Sequence, residues 1–387
     1  MAAHRDGLAY RSIAGATGSA EHFITIDAPD GLTLPRQIDA VAQRYAEAMQ
    51  TLNLSPDTAV FRRIYVSDAA NQAELVRESS LFTEPMGSPV AVSMVQQPPL
   101  RGGKIALFAY HLQTPAPLPK QHVAPGHVLV ENGDLKHLWS TRLCTVNQNG
   151  PSNAAAQTRD VFDRLIRVLH SHDATLAENC VRTWLYVKDV DVFYQDVVDS
   201  RIEVFDRHGL TRDTHYIAST GIEGACSHRY DVVLMDAYSV LGLQPEQVTY
   251  LNDFSRLCAT KDYNVTFERG TRIGYADRAH HFISGTASID SSGRVVHVGD
   301  VERQLDRALE NVDALLRSGD ANIDDMTHFL IYLRDPSDTA RIEAQLQERF
   351  PEVPRLTLRG PVCRPEWLVE VEGIAVAEQH VPALPVY

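Results

Sequence analysis

The sequence QLDRALENVDALLRSGDANIDDMTHFLIYLRD, residues Gln304–Asp335, contains a clear helix pattern followed by a clear strand pattern. Its first half has apolar residues at the three- and four-residue spacing of an amphipathic helix, namely Leu305, Leu309, Val312, Leu315 and Leu316. Its second half contains the almost wholly apolar run Phe329–Leu333, as expected of a strand that is buried on both faces. The segment therefore predicts a helix, a turn and a strand that ends at Asp335.

The same pattern occurs twice more in the chain, at nearly the same spacing. Gln304–Asp335 spans 31 steps, as does Gln37–Asp68, and Gln157–Asp189 spans 32. An extended run precedes each helix, and a second helical stretch and a closing extended run follow each strand. The closing runs are Lys104–Leu112, Asp231–Val240 and Leu368–Val376. Self-similarity of this kind indicates structural repeats.

Each repeat is therefore predicted to be β-hairpin, α, β, α, β, and the predicted fold class is α+β. The Pro-rich segment Thr114–Gly126 is expected to be a stiff connector between the first and second repeats. A second boundary is expected near Gln244–Phe254. We predict repeat domains at residues 1–113, 127–243 and 255–380, of which the first is degenerate and the third carries the candidate active site.

The composition is that of a globular chain with an acidic balance of charges. Lys and Arg number 36 and Asp and Glu number 50, which gives a formal net charge of −14. Nucleic acid and anionic membranes are poor partners for such a chain, although a local basic site can bind a small anionic substrate. The five scattered cysteines exclude a simple disulfide framework and a CxxC zinc site. We expect a cytoplasmic protein without a metal site.

Six segments of the third repeat follow one another in the order and spacing of a known family. They are FISGTASID, GRVVHVGDVERQ, LENVDALL, FLIYLRD, PRLTLRGPV and LVEVEGIA. With these segments the repeat resembles a protomer of the Rid (YjgF-like) family, whose members are trimers with ligand clefts between protomers. The resemblance implies that three repeats in one chain form an intramolecular pseudo-trimer. We therefore expect the protein to be a monomer or a weak dimer.

A narrower resemblance covers about residues 155–376. RTWLYVKDV, STGIEG, FERGT and CRPEWLVEVEG are similar to segments of the chorismatases, which are Rid-derived enzymes that split chorismate into pyruvate and a ring acid. The resemblance implies that Glu370, the first carboxylate of the LVEVEG strand, is catalytic. Cys363 and Gly285 resemble the hydroxybenzoate-forming branch, and Tyr194, seven residues before Arg201, also belongs to the matching pattern.

Glu370 and Glu372 are two residues apart on a predicted strand, so both side chains point to one face. They could lie on an exposed face or in a structural ion pair. Alternatively, partial burial could raise the pKa of one carboxyl so that it donates a proton. We predict that Glu370 is the proton donor and that Glu372 is a structural partner.

Arg201 and Arg355 are the predicted substrate-binding arginines, because a guanidinium can bind a carboxylate through two parallel hydrogen bonds. Arg355 also fits the arginine with which Rid deaminases hold a substrate carboxylate. The alternatives are a surface position on a helix for Arg201 and a salt bridge at a domain interface for Arg355. Cys363 is expected to line the site, or else to be a small buried apolar residue, and not to act as a nucleophile.

The leading hypothesis is a chorismatase-like hydrolase or lyase that cleaves chorismate or a related enol ether, with Glu370 as general acid and with no cofactor. The alternative is a Rid-type deaminase of 2-aminoacrylate-like enamines, in which Arg355 holds the carboxylate and Glu370 positions water. A third hypothesis is a ligand-binding protein without turnover. It rests on the first two repeats, where the positions of Glu370 fall near the apolar residues Ala106 and Val233.

Overall fold

The computed structural model describes residues 2–5, 7–16, 18–146, 153–258 and 266–387. These residues form three six-stranded mixed sheets with one strand order, so the chain has the predicted α+β fold with three repeats. Within each sheet, five strands pair antiparallel to their neighbours and a sixth strand pairs in parallel at one edge.

The first sheet has helices packed against it that bury one apolar stripe each. Helix α1 buries Ile38, Val41, Tyr45 and Ala48, which recur at helical spacing. The strands are β1 (Ala2–Arg5), β2 (Leu8–Ala14), β3 (Ala20–Asp27), β4 (Ala59–Val66), β5 (Ala91–Gln96) and β6 (Ile105–Gln113), and the helices are α1 (Leu34–Thr51) and α2 (Ala69–Arg77).

The second sheet repeats this order and adds one short helix. Asn153 caps the first helix of the repeat by accepting a hydrogen bond from the backbone N–H of Ala156. The strands are β7 (Lys120–Ala124), β8 (His127–Asn132), β9 (Leu135–Leu143), β10 (Cys180–Val187), β11 (Ala218–Glu223) and β12 (Val233–Leu241), and the helices are α3 (Ala154–His170), α4 (Leu176–Asn179) and α5 (Val190–Arg207).

The third sheet contains the helix and strand that the opening sequence predicts. Helix α6 starts after Asp300, whose side chain caps it, and the strand after it ends at Leu333, two residues before Asp335. The strands are β13 (Val248–Tyr250), β14 (Gly270–Gly274), β15 (Arg278–Ala287), β16 (Met326–Leu333), β17 (Arg355–Arg359) and β18 (Val369–Glu378), and the helices are α6 (Val301–Arg317) and α7 (Thr339–Arg349). Single-turn 3₁₀ helices lie at Pro56–Thr58, Pro245–Gln247, Ile323–Asp325 and Pro336–Asp338.

Two segments that we expected to be connectors are partly strand. Lys120–Ala124 forms β7 within the Pro-rich segment, and Val248–Tyr250 forms β13 within the second boundary. Both are edge strands, and the prolines of the first segment lie outside β7, so none of them removes a ladder hydrogen bond. The predicted unit also lacked the parallel edge strand, which is β5, β11 or β17 in the three sheets.

The three repeats form a closed ring through these parallel edge strands. Backbone bridges join Gln96 to Ala225, Ile222 to Val362, and Leu358 to Pro99. The first repeat is thereby joined to the second, the second to the third, and the third to the first. This arrangement is an intramolecular pseudo-trimer, and each junction forms a cleft between neighbouring sheets.

Strand register identifies equivalent positions in the three repeats. Tyr65, Tyr186 and Tyr332 are fully buried and lie opposite Ala106, Leu234 and Glu370 on the neighbouring strands. The equivalent of Glu370 in the second repeat is therefore Leu234 rather than Val233. Among the described helices, none combines the length and the apolar character that a membrane crossing requires.

Candidate functional site

Strand β18 places two glutamates side by side at the cleft between the second and third repeats. Glu370 and Glu372 lie opposite Tyr332 and Leu330 of β16, and both carboxyl side chains are at most 5% exposed. Because successive strand residues alternate between faces, both glutamates point towards the same side, as predicted. Their surroundings then give them different roles.

Glu372 is held by donors from two repeats. The Nη2 atom of Arg182 donates to its Oε2 atom at 2.6 Å, and Tyr332 and Trp184 donate to its Oε1 atom at 2.8 and 3.1 Å. The hydroxyl of Thr220 also donates to Oε2. A buried carboxylate with this many donors is a structural ion-pair partner, because its lone pairs are already used.

Glu370 has a different environment, although it is only two residues away. Burial, followed by the negative charge of Glu372, raises its pKa from 4.5 to about 8, while Arg182 and Arg269 act in the opposite direction. Burial thus favours the protonated form of the Glu370 carboxyl group. A protonated carboxyl in a cavity can donate a proton to a substrate.

The cavity around Glu370 takes its walls from two repeats. The cavity has a volume of about 50 Å³. The second repeat contributes Tyr194, Arg201, Ser219, Thr220 and Gly221, and the third contributes Phe267, Arg269, Gly285, Ala287, Ile289, Cys363, Arg364, Trp367 and Glu370. The structure thus brings five of the six predicted site residues together.

Arg201 is a buried cation in this cavity rather than a surface residue. It lies two helical turns after Tyr194 on α5 and is 1% exposed. Its Nε atom donates to the hydroxyl of Thr266 at 2.9 Å. Its Nη2 atom has no hydrogen-bond partner among the residues that the structure describes. A buried guanidinium N–H without a partner is suited to an anionic ligand group.

Two further arginines line the cavity and were not predicted as site residues. Arg269 lies within the FERGT segment, and Arg364 follows Cys363 directly. The guanidinium of Arg364 lies 4.8 Å from the ring centroid of Trp367. The FERGT segment contains Arg269, but the sequence alone does not show which side chain of that segment faces the cleft.

Two glycines make room for the functional side chains. A Cβ atom at Gly285 would collide with the carboxyl group of Glu370, and one at Gly221 would come within 2.7 Å of the Tyr194 ring. Both contacts are closer than a real Cβ atom shows, so an alanine at either position would require the facing side chain to shift. The absence of a Cβ atom at Gly285 therefore allows the Glu370 carboxyl group to lie against β15.

Cys363 lines the cavity without the features of a nucleophile. Burial, followed by the charge of Glu370, raises the pKa of its thiol to about 12. The thiolate is the reactive form of cysteine, and at neutral pH it is scarcely populated here. Cys363 therefore contributes shape and an apolar surface.

Arg355 lies outside this cavity, in contrast to the site that we predicted. It is on β17, at the cleft between the third and first repeats, where its Nε atom donates to Glu343 at 3.1 Å and its Nη2 atom to Gln347 at 2.9 Å. Arg101 extends this network from Glu343 to Asp27. The guanidinium of Arg355 is thus used in a salt bridge within the third repeat, rather than in the substrate site or in a salt bridge between repeats.

Comparison with known proteins links the third repeat to a family. A family model described as Endoribonuclease L-PSP matches residues 274–377. The 3-aminoacrylate deaminase RutC of Acinetobacter baylyi is 31% identical over 96 residues, which are 24% of this chain and 76% of that protein. A RutC family protein of Pyrococcus abyssi is 30% identical over 99 residues, covering 25% of this chain and 78% of its own length.

A solved structure matches most of the chain in fold. A chorismatase crystal structure superposes with a TM-score of 0.61 at 20% sequence identity, covering 82% of this chain and 93% of the chorismatase. Its fold therefore includes the tandem arrangement, whereas the sequence relatives correspond to single repeats. Taken with the match of the third repeat to RutC, this places the chain in the Rid (YjgF-like, L-PSP) superfamily, with tandem repeats arranged as in a chorismatase.

Proposed function

We propose that the protein is a chorismatase-like enzyme that cleaves chorismate or a related enol ether into pyruvate and a ring acid of the hydroxybenzoate type. The observation that carries this proposal is the buried carboxyl group of Glu370, whose pKa is raised by burial, in a cavity with three arginines. A dianionic substrate matches the cations, and the proton donor matches the chemistry of enol ethers.

Glu370 performs the first chemical step in this proposal. An enol ether is stable until its terminal methylene carbon is protonated, and the Glu370 carboxyl delivers that proton. The resulting oxocarbenium ion loses the bond between the ring carbon and the ether oxygen, which releases the three-carbon fragment as pyruvate. A placed general acid contributes a rate factor of about 10²–10⁴. The ring cation that remains loses a proton and becomes aromatic, and Glu370 regains its proton from this step, directly or through solvent.

Arg201, Arg269 and Arg364 orient the substrate for this step. Chorismate has two carboxylates, and an arginine binds a carboxylate through directional, charge-assisted hydrogen bonds. With both carboxylates fixed, the methylene carbon is held against one proton donor, which supplies the positional part of catalysis. Tyr194 and Trp367 provide the walls for the ring.

The test is to incubate the purified protein with chorismate and to measure pyruvate and hydroxybenzoate together. We expect equal amounts of the two products at a rate that is proportional to protein concentration. The Glu370→Gln variant, prepared in the same way, is the matched control for contaminating lyases. If the wild-type protein releases no pyruvate above the spontaneous rate, the proposal is wrong.

A second candidate function uses the same cavity. The relative from Acinetobacter baylyi is a 3-aminoacrylate deaminase, and a Rid-type deaminase would hold a single carboxylate while Glu370 positions water. Because Arg355 pairs with Glu343, Arg201 takes the carboxylate-binding role in this version. Ammonia release from enzymatically generated 2-aminoacrylate, measured on the same preparation, distinguishes the two reactions.

A further inference from the structure

Four side chains of metal-ligand type converge in the second repeat, away from Glu370. They are Cys144 just after β9, and Cys226, His228 and Asp231 in the loop between β11 and β12. One sulfur, nitrogen or oxygen donor atom from each lies within 4.8 Å of all the others. Cys226, His228 and Asp231 lie within six consecutive residues, whereas Cys144 lies 82 residues before Cys226.

Two of the distances within the cluster are close to those of a tetrahedral site. The Sγ atom of Cys144 is 3.5 Å from the Nδ1 atom of His228, which is 3.2 Å from the Oδ2 atom of Asp231. A tetrahedral zinc ion with ordinary bonds to sulfur, nitrogen and oxygen would have its ligand atoms about 3.3–3.8 Å apart. An ion would therefore fit without a large change of the backbone.

We propose that Cys144, Cys226, His228 and Asp231 bind one zinc ion. Two thiolates, an imidazole and a carboxylate form a donor set that suits zinc among the biological divalent cations. The Asp231 side chain is fully buried and the His228 side chain is 36% exposed. Four protein ligands complete a tetrahedral shell, so the ion is structural and leaves no position for substrate.

Comparison with the third repeat indicates which structural role the ion would have in the second repeat. Counting back from the equivalent residues Glu370 and Leu234, Trp367 occupies the position of Asp231. The indole N–H of Trp367 donates to the carbonyl oxygen of Ser288 at 3.1 Å and so ties its loop to the end of β15. In the second repeat, Asp231 instead accepts from the N–H of Val146 at 2.8 Å. A bound zinc ion would hold the loop before β12 more strongly than this hydrogen bond does.

The proposed zinc site lies at the cleft between the first and second repeats, where an apolar residue replaces the Glu370 carboxyl group. Met94 of the first repeat and Arg142 and Leu234 of the second line the cavity next to the cluster, and Leu234 is the counterpart of Glu370. The ion thus stabilises the wall of the first-to-second cleft and not the chemistry at Glu370. The proposal does not depend on the proposed function.

Zinc binding exchanges protons for the metal ion and requires no oxidant or reductant. The two thiols lose their protons to solvent as the zinc–sulfur bonds form, and the imidazole and the carboxylate coordinate through lone pairs. The site then carries one net negative charge, from two thiolates and one carboxylate against a divalent cation. Apparent affinity therefore falls as the pH is lowered.

The test uses the full-length protein, freed of metal and kept with a non-thiol reductant. Titration with Co²⁺ should give a thiolate-to-cobalt charge-transfer band and the intense visible bands of tetrahedral cobalt, saturating at one ion per chain. Zn²⁺ should displace the cobalt and raise the melting temperature. Absence of the charge-transfer band in the reduced protein would overturn the proposal, as would saturation with an octahedral spectrum.

Single-residue variants distinguish metal binding by the cluster from metal binding by other thiols. Cys226→Ser should lose the charge-transfer band and the stabilisation by Zn²⁺, and His228→Gln, with its partly exposed ring, gives the same readout if the cysteine variant folds poorly. Cys180→Ser removes a buried thiol of β10 outside the cluster and should bind metal as the wild type does. If both cluster variants bind cobalt with the wild-type spectrum, the assignment is wrong. An oxidised Cys144–Cys226 disulfide that persists in the reductant would overturn it too.

Discussion

The Nη2 atom of Arg182 lies 2.6 Å from the Oε2 atom of Glu372, and the two side chains are 2% and 1% exposed. Arg182 belongs to β10 of the second repeat and Glu372 to β18 of the third. The pair is therefore a buried ion pair across the junction that carries the candidate site. It also keeps a negative charge near Glu370, which contributes to the raised pKa of the Glu370 carboxyl.

Glu372→Gln should destabilise the protein by about 3–5 kcal/mol, because it leaves the buried guanidinium of Arg182 without its counter-charge. The free energy of unfolding from urea titration measures this loss. Glu366→Gln, on the exposed loop just before β18, is the matched control and should change the value by less than about 0.5 kcal/mol. A Glu372→Gln protein as stable as this control would show that the ion pair contributes little.

Glu370→Gln should leave the fold intact and lower turnover by roughly 10²-fold or more, because an amide has the size of the carboxyl group but no acidic proton. Stability should stay near that of the wild type or rise slightly, since an amide is cheaper to bury than a carboxyl group that can ionise. Steady-state kinetics and substrate binding, measured on the same sample, separate chemistry from affinity. Wild-type turnover in this variant would place the proton donor elsewhere.

Turnover should decrease as the pH rises through about 8, since Glu370 must be protonated to act as the acid. The free energy of unfolding should also depend on the protonation of the Glu370 carboxyl group. The folded-state pKa is raised above 4.5, so the folded protein binds this proton more tightly and loses the resulting stabilisation as the pH rises from about 4.5 to about 8. Comparing the pH dependence of unfolding for the wild type and Glu370→Gln isolates this contribution. Identical slopes for the two proteins in that window would contradict it.

The sequence was sufficient to predict the three repeats, because each helix and inner strand is a long, strongly periodic segment. It also placed Glu370, Gly285 and Cys363 in one site through the spacing of the family segments. It did not reveal that Arg355 pairs with Glu343, since the salt bridge depends on how α7 packs beside β17. The short parallel strands and Arg364 were missed because strands of five or six residues and a single loop arginine carry no periodic pattern.

Arg201→Met should raise KM by roughly 10- to 100-fold if the buried guanidinium binds a substrate carboxylate, because a lost buried charge pair typically costs a few kcal/mol. Arg355→Met is the matched control: it removes the same charge from the other cleft and should lower stability without changing KM. Equal effects of the two variants on KM would mean that the second-to-third cleft is not the substrate site.

Gly285→Ala should reduce turnover by roughly 10- to 100-fold, because the new methyl group must push the Glu370 carboxyl away from its position against β15. The φ angle of Gly285 is not in the left-handed region, so the backbone accepts alanine and the effect acts through Glu370. A displaced carboxyl is less buried, so the pKa in the turnover profile should also move below about 8. Gly274→Ala, on β14 of the same repeat, meets the flexible side chains of Arg272 and Gln379 instead and should leave both kcat and the pH profile unchanged. A Gly285→Ala protein with wild-type turnover and an unchanged profile would mean that the reactive carboxyl does not lie against β15.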